Sequence, residues 1–83
     1  MVEKKKKILI VEDDLDVVEM LEAYFRVQDY EVVTANWGED AIDVCQSEHP
    51  DLVILDIRLP DFDGYEVARR LRGHRRTENI PII

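Results

Sequence analysis

Two runs of four consecutive apolar residues constrain this chain more than anything else in it: Ile8-Leu9-Ile10-Val11 and Leu52-Val53-Ile54-Leu55. A run that is apolar at every position reads as a strand covered on both faces, which is the habit of parallel sheets. Both runs end in acid, the first in Glu12-Asp13-Asp14 and the second in Asp56. In open parallel sheets ligands bind in the crevice beyond the carboxyl ends of the strands, so these acids are candidate site residues. Pro60 and the Asp63-Gly64 pair then turn the chain after Asp56 through a defined loop.

Between the runs the hydrophobic period changes. Leu15, Val18, Met20, Leu21, Tyr24 and Phe25 predict an amphipathic helix over Leu15 to Val27, with Asp14 as its N-cap. Glu31 to Ala35 reads as a second strand, broken by Asn36-Trp37-Gly38. Ala41, Ile42, Val44 and Cys45 predict a short helix over Glu39 to Ser47, and Tyr65, Val67, Ala68 and Leu71 a third over Tyr65 to Arg72, with Gly73 at its C′ position. Ile80-Pro81-Ile82-Ile83 begins a fourth strand. The order β-α-β-α-β-α-β implies right-handed crossovers and an α/β fold, a parallel sheet with helices on both faces.

At 83 residues the chain makes one small domain. A chain of this size buries only about 60–65% of its unfolded surface, so its core is marginal. The net charge of −8 excludes a general nucleic-acid binder, because no phosphate-neutralising excess exists. One cysteine, Cys45, permits no internal disulfide and fits a reducing compartment. No apolar stretch is long enough for a signal peptide or a membrane span, so the cytoplasm is the expected location. Residues 1–7, with their four consecutive lysines, read as a solvated tail before a domain over 8–83.

If the two apolar strands are neighbours, Glu12, Asp13 and Asp56 share one crevice. Three like charges there demand a proton or a cation. A hard divalent ion with oxygen ligands is the natural answer, and magnesium characteristically completes its shell with waters and a phosphate oxygen. Acids after strands also serve as helix caps and turn residues, and for any one of them that reading suffices. It does not explain two buried strands that both end in carboxylates.

Ile8-Leu9-Ile10-Val11-Glu12-Asp13-Asp14, followed by Asp56-x-x-Leu59-Pro60-x-x-Asp63-Gly64, resembles the receiver domain of two-component response regulators. Asn36-x-Gly38-Glu39-x-Ala41 and Ile80-Pro81-Ile82-Ile83 are similar to that family as well. The resemblance implies a flavodoxin-like sheet of strand order 2-1-3-4, lacking the family's fifth strand and last two helices. It implies that Asp56 is the phosphoacceptor, taking a phosphoryl group from a sensor histidine kinase in a phosphorelay. Asp13, Asp56 and the Arg58 backbone carbonyl would ligate magnesium, with Glu12 acting through water and Pro60 and Gly64 supporting the loop. The family's hydroxyl residue after strand four and lysine after strand five are not among these 83 residues. In that strand order the fourth strand is a bare edge, and the first helix keeps an apolar strip that a fifth helix would cover. Either a longer protein or self-association through the fourth strand and first helix is therefore expected.

Two other functions stay open on the residues. Haloacid dehalogenase-like phosphatases also place a nucleophilic aspartate after a parallel strand, but they resemble Asp-x-Asp there, and Arg58 stands in the second position. A receiver fragment used only for association is the other. An EF-hand reading of Asp61-x-Asp63-Gly64 fails, because Leu59 and Arg70 fall where carboxylates are needed. The Arg69 to Arg76 cluster reads as solvated cations at a helix C-terminus, Cys45 as a small core hydrophobe, and His49 and His74 as loop residues without metal-ligand companions.

Overall fold

The computed structural model describes residues 5–56 and 63–83. Along them run β1 (Lys7–Val11), α1 (Leu15–Val27), β2 (Glu31–Ala35), α2 (Gly38–Glu48), β3 (Leu52–Leu55) and α3 (Gly64–Arg72). The strands form one parallel sheet in the order β2-β1-β3. With β1 in the centre, Ile8, Leu9, Ile10 and Val11 are all buried, as a doubly covered strand requires.

Side chains alternate across a strand, so β1 divides the core in two. Ile8 and Ile10 join Val32 on one face, under Leu21 and Phe25 of α1. Leu9 and Val11 face the other way, packed with Val53, with Ala41 and Cys45 of α2, and with Val67 and Leu71 of α3. Cys45 is the small core residue its position predicts, and burial pushes its thiol up to about 11. The two layers of helix are those the alternation of elements implies, and the order β2-β1-β3 is the one the family resemblance implies for these strands.

Several details differ from expectation. β1 begins at Lys7 rather than Ile8, because the backbone is already paired there: Lys7 lies opposite Glu31 and its carbonyl accepts from Asp51 N–H at 2.7 Å, while its Nζ donates to Glu48 Oε1 at 2.9 Å and pairs with Glu31 at 3.2 Å. The segment 80–83 lies beside β3 through Val53 N–H to the Pro81 carbonyl, Ile83 N–H to Val53 and Leu55 N–H to Ile83, at 2.9 to 3.0 Å. It forms an isolated parallel bridge at Ile82, not a full fourth strand. Pro81 has no N–H to give to a ladder.

Gly73 is not a left-handed C′ residue; it stays right-handed at φ −82°. The end of α3 is closed instead by side chains: buried Thr77 donates Oγ1 to the Leu71 carbonyl, and Arg72 donates to the carbonyls of Glu78 (2.9 Å) and Ile80 (2.7 Å). Arg72 thus ties the helix to the incoming edge segment. Arg69 and Arg70 both bond Glu66, whose carboxyl these guanidinium groups hold down at about 2. Half of the basic cluster is therefore engaged within the fold rather than merely solvated.

On α1 only part of the apolar set faces the sheet. Val18 is buried and Leu21 and Phe25 pack below it, whereas Met20, Tyr24 and Val27 remain 62%, 59% and 82% exposed. Asp14 caps α1 as expected, its Oδ1 accepting the Asp16 N–H at 3.0 Å. No helix among the described residues is long and apolar enough to cross a membrane.

Candidate functional site

The strand register builds the site. Val11 lies opposite Ala35 on one side and Leu55 on the other, so the three strands end level. The residues that follow, Glu12, Asn36 and Asp56, therefore emerge side by side along the carboxyl edge of the sheet. Backbone bonds carry this alignment one step past the ladders: Glu12 N–H donates to the Ala35 carbonyl at 3.0 Å and Asp56 N–H to the Val11 carbonyl at 2.9 Å.

Carboxylate oxygens of Glu12, Asp13 and Asp56 lie within 4.8 Å of one another. They line an open cleft of about 390 Å³ together with Asp14 and Val17. Glu12 and Asp56 are half-buried and Asp13 is exposed, so the group combines partial desolvation with access from solvent. Burial raises the Glu12 carboxyl above its ordinary range; the Asp14 N–H, bonded to Glu12 Oε2 at 3.1 Å, opposes this, and the neighbouring acids Asp56 and Asp13 push it up further. Negative charge is thus held together at a cost that a cation would relieve. Three convergent hard oxygen donors open to water suit magnesium, which keeps several waters and does not require a full protein cage. The donor set fits the ion.

Four of the six predicted site residues, Glu12, Asp13, Asp56 and Gly64, can be placed. Glu12, Asp13 and Asp56 are brought together as the strand ends implied. Gly64 is buried as the first residue of α3, and Asp63 caps that helix, its Oδ1 accepting the Glu66 N–H at 2.8 Å. Arg58 and Pro60 lie outside the described residues. Trp37 precedes α2, half exposed. Asn36 is a residue that sequence reasoning missed as part of the site: its Nδ2 donates to the Glu12 carbonyl at 3.1 Å. Its place in a loop after β2 was visible, but nothing local in the sequence says that this loop abuts Glu12.

Comparison with known proteins bears on the family and the fold. The model of the response regulator receiver domain matches residues 8–83. The chain is 47% identical over 79 residues to the probable transcriptional regulator ycf27 of Cyanophora paradoxa, covering 95% of this chain and 32% of that protein. It is similar to the receiver domain of the sensor histidine kinase PA1611 from Pseudomonas aeruginosa, solved with a magnesium ion coordinated in the active site cleft. That match has a TM-score of 0.90 and 30% identity, covering 95% of this chain and 65% of the other. It is also similar to the BeF3-activated N-terminal receiver domain of RstA from Klebsiella pneumoniae, with a TM-score of 0.80 and 45% identity over 83% of this chain and 59% of that one. The chain spans about a third of the length of the curated relatives it matches.

Proposed function

The chain belongs to the response regulator receiver domain family, and from that premise we propose that it accepts a phosphoryl group on Asp56 from the phosphohistidine of a sensor histidine kinase. The observation that carries this reading is the level ending of β1 and β3, which draws the Glu12, Asp13 and Asp56 carboxylates to within 4.8 Å. Receiver domains are signalling modules, and here Asp56 acts as an acceptor rather than as the nucleophile of a phosphomonoesterase. The reading carries a cytoplasmic location with it, supported by the lone, buried thiol of Cys45.

In the transfer an Asp56 carboxylate oxygen attacks phosphorus in line. The O–P bond forms as the P–N bond to the donor imidazole breaks, and the imidazole nitrogen leaves with the electron pair. The product is an acyl phosphate. The reaction asks for position and charge neutralisation more than for covalent help. Position comes from Asp56 N–H bonded to Val11, which fixes the residue at the strand end. Asp13, Asp56 and the Arg58 carbonyl would hold magnesium, with Glu12 reaching it through water and Pro60 and Gly64 shaping the loop. When bound, the ion neutralises the acids and stabilises charge on the transferring oxygens.

Incubating the chain with acetyl phosphate and magnesium should add one phosphoryl group by intact mass, dependent on magnesium, with acetate as the leaving group. Steady turnover of a phosphomonoester such as p-nitrophenyl phosphate, or no adduct at all, would refute the reading.

Association of two copies is a second reading, favoured by the exposed apolar strip of Met20, Tyr24 and Val27 on α1 and by the outward edge of 80–83. Sedimentation velocity is expected to show a concentration-dependent shift toward dimer that Tyr24→Lys abolishes. A single monomeric species across the concentration range would exclude it.

A further inference from the structure

We propose that Asn36 is a positioning residue for the acidic site, one that sets the geometry of the carboxylates without touching the ion. The inference rests on the reading of Glu12, Asp13 and Asp56 as the magnesium site. It starts from the point where the sheet stops. The β1–β2 ladder ends at the pair Val11 and Ala35. Beyond it, regular pairing no longer holds the chain, yet the next two residues of β1's strand line, Glu12 and Asp13, are two of the three acids.

Two bonds replace the missing ladder. Glu12 N–H donates to the Ala35 carbonyl at 3.0 Å, a last backbone rung. The Glu12 carbonyl then accepts from Asn36 Nδ2 at 3.1 Å, a rung made by a side chain. That carbonyl belongs to the peptide unit joining Glu12 to Asp13. A peptide unit is planar, so fixing its oxygen fixes the direction in which the Asp13 N–Cα bond leaves. The same bond limits rotation about the Glu12 Cα–C bond and so sets where the two side chains diverge. From Glu12 the hold passes on: the Asp14 N–H donates to Glu12 Oε2 at 3.1 Å, and Asp14 Oδ1 caps α1. Asn36 is thus the anchor of a short chain of bonds running from the end of β2, through both acids, to the first turn of α1.

The residue type is suited to this. The partner is a carbonyl oxygen, so a donor is needed, and Asn36 is half-buried, where a lost bond is not simply replaced by water. Alanine removes the donor. Serine keeps a donor on a shorter arm. Outer-shell partners of metal ligands characteristically cost about 10–100-fold in affinity when removed. Because Asn36 acts through the backbone of Glu12, the lower end of that range is expected.

The test is a calorimetric titration of the full chain with magnesium chloride, beside urea unfolding in EDTA. Asn36→Ala is expected to weaken magnesium binding about tenfold, and Asn36→Ser to fall between alanine and the wild type. With acetyl phosphate, raising magnesium to saturation should restore the Asn36→Ala phosphorylation rate, since the loss lies in assembling the site and not in the chemistry. An unchanged magnesium dissociation constant in both variants, even with lowered stability, would overturn the proposal and leave Asn36 a plain strand-end contact. A rate that stays low at saturating magnesium would overturn it too. Absence of magnesium binding in the wild type would refute the site reading beneath it, and would be seen before either variant is compared.

Discussion

Replacing Asp56 by asparagine is expected to abolish phosphoryl acceptance while leaving the metal-free chain more stable than the wild type. The amide is nearly isosteric but carries no nucleophilic carboxylate oxygen, so incubation with acetyl phosphate and magnesium should yield no mass adduct. The stability change has a separate origin. Asp56 is one of the causes that raise Glu12 above its ordinary value, after burial itself. A carboxyl whose folded pKa is raised binds more protons in the native state than in the unfolded one. The Glu12 contribution to stability is therefore fully present below the unfolded value of 4.5, declines as pH rises through the window up to the raised folded value, and is lost above it. Removing the Asp56 charge relieves part of that penalty. Glu12 is only half-buried, so solvent screens the interaction, and the gain at neutral pH is a few tenths to about 1 kcal/mol.

Magnesium should reverse the order. An ion that binds only the native state stabilises the wild type by mass action, about 2.7 kcal/mol at a hundredfold excess over Kd. The variant, with one acid fewer at the site, gains much less. Urea unfolding with EDTA and then with magnesium measures both effects in one series. Asp56→Asn less stable than wild type in EDTA would show that the acids do not strain the fold.

Leu9→Ala is expected to cost about 2–5 kcal/mol, the range for deleting a buried leucine side chain and leaving a cavity. Leu9 is fully buried on the central strand, among Val53, Cys45, Val67 and Leu71 contributed by β3, α2 and α3. No other strand can supply its atoms, since β1 is the partner of both β2 and β3. A chain of this length commands about 4–12 kcal/mol in all, so the variant sits near the folding threshold. Its denaturation midpoint in urea should fall by at least about a sixth with little change in slope. A shift under 1 kcal/mol would mean that α2 and α3 do not close over β1 as described.

How far the fold could be read from residues alone varies by element. Ile8–Val11 and Leu52–Leu55 announced strands because nothing polar interrupts them, but only the first is buried throughout, whereas in β3 Val53 alone is buried; α1 was legible because Asp14 caps its start and the three-and-four spacing runs to Val27. The α1 surface was less legible. Met20 and Tyr24 fit the helical period as well as Leu21 and Phe25 do, yet they stay exposed, because period says which residues share a side of a helix and not how much of that side the sheet covers. The end of α3 escaped for a related reason: Gly73 is a common helix stop, but Thr77 and Arg72 close this helix from several residues downstream.

By itself the sequence determined the class of fold, since strand runs alternating with amphipathic helices leave a parallel sheet with two covered faces as their way of burying apolar surface. It also determined which acids stand at the strand ends, because that is a matter of order along the chain. Only the tertiary structure decided that β1, β2 and β3 stop level. Register is a relation between strands distant in sequence, set by how their faces pack, and a chain read in one dimension does not contain it. That level ending gathers Glu12, Asp13 and Asp56 into one cleft, and it places Asn36, just past the end of the neighbouring strand, where its amide reaches the Glu12 carbonyl.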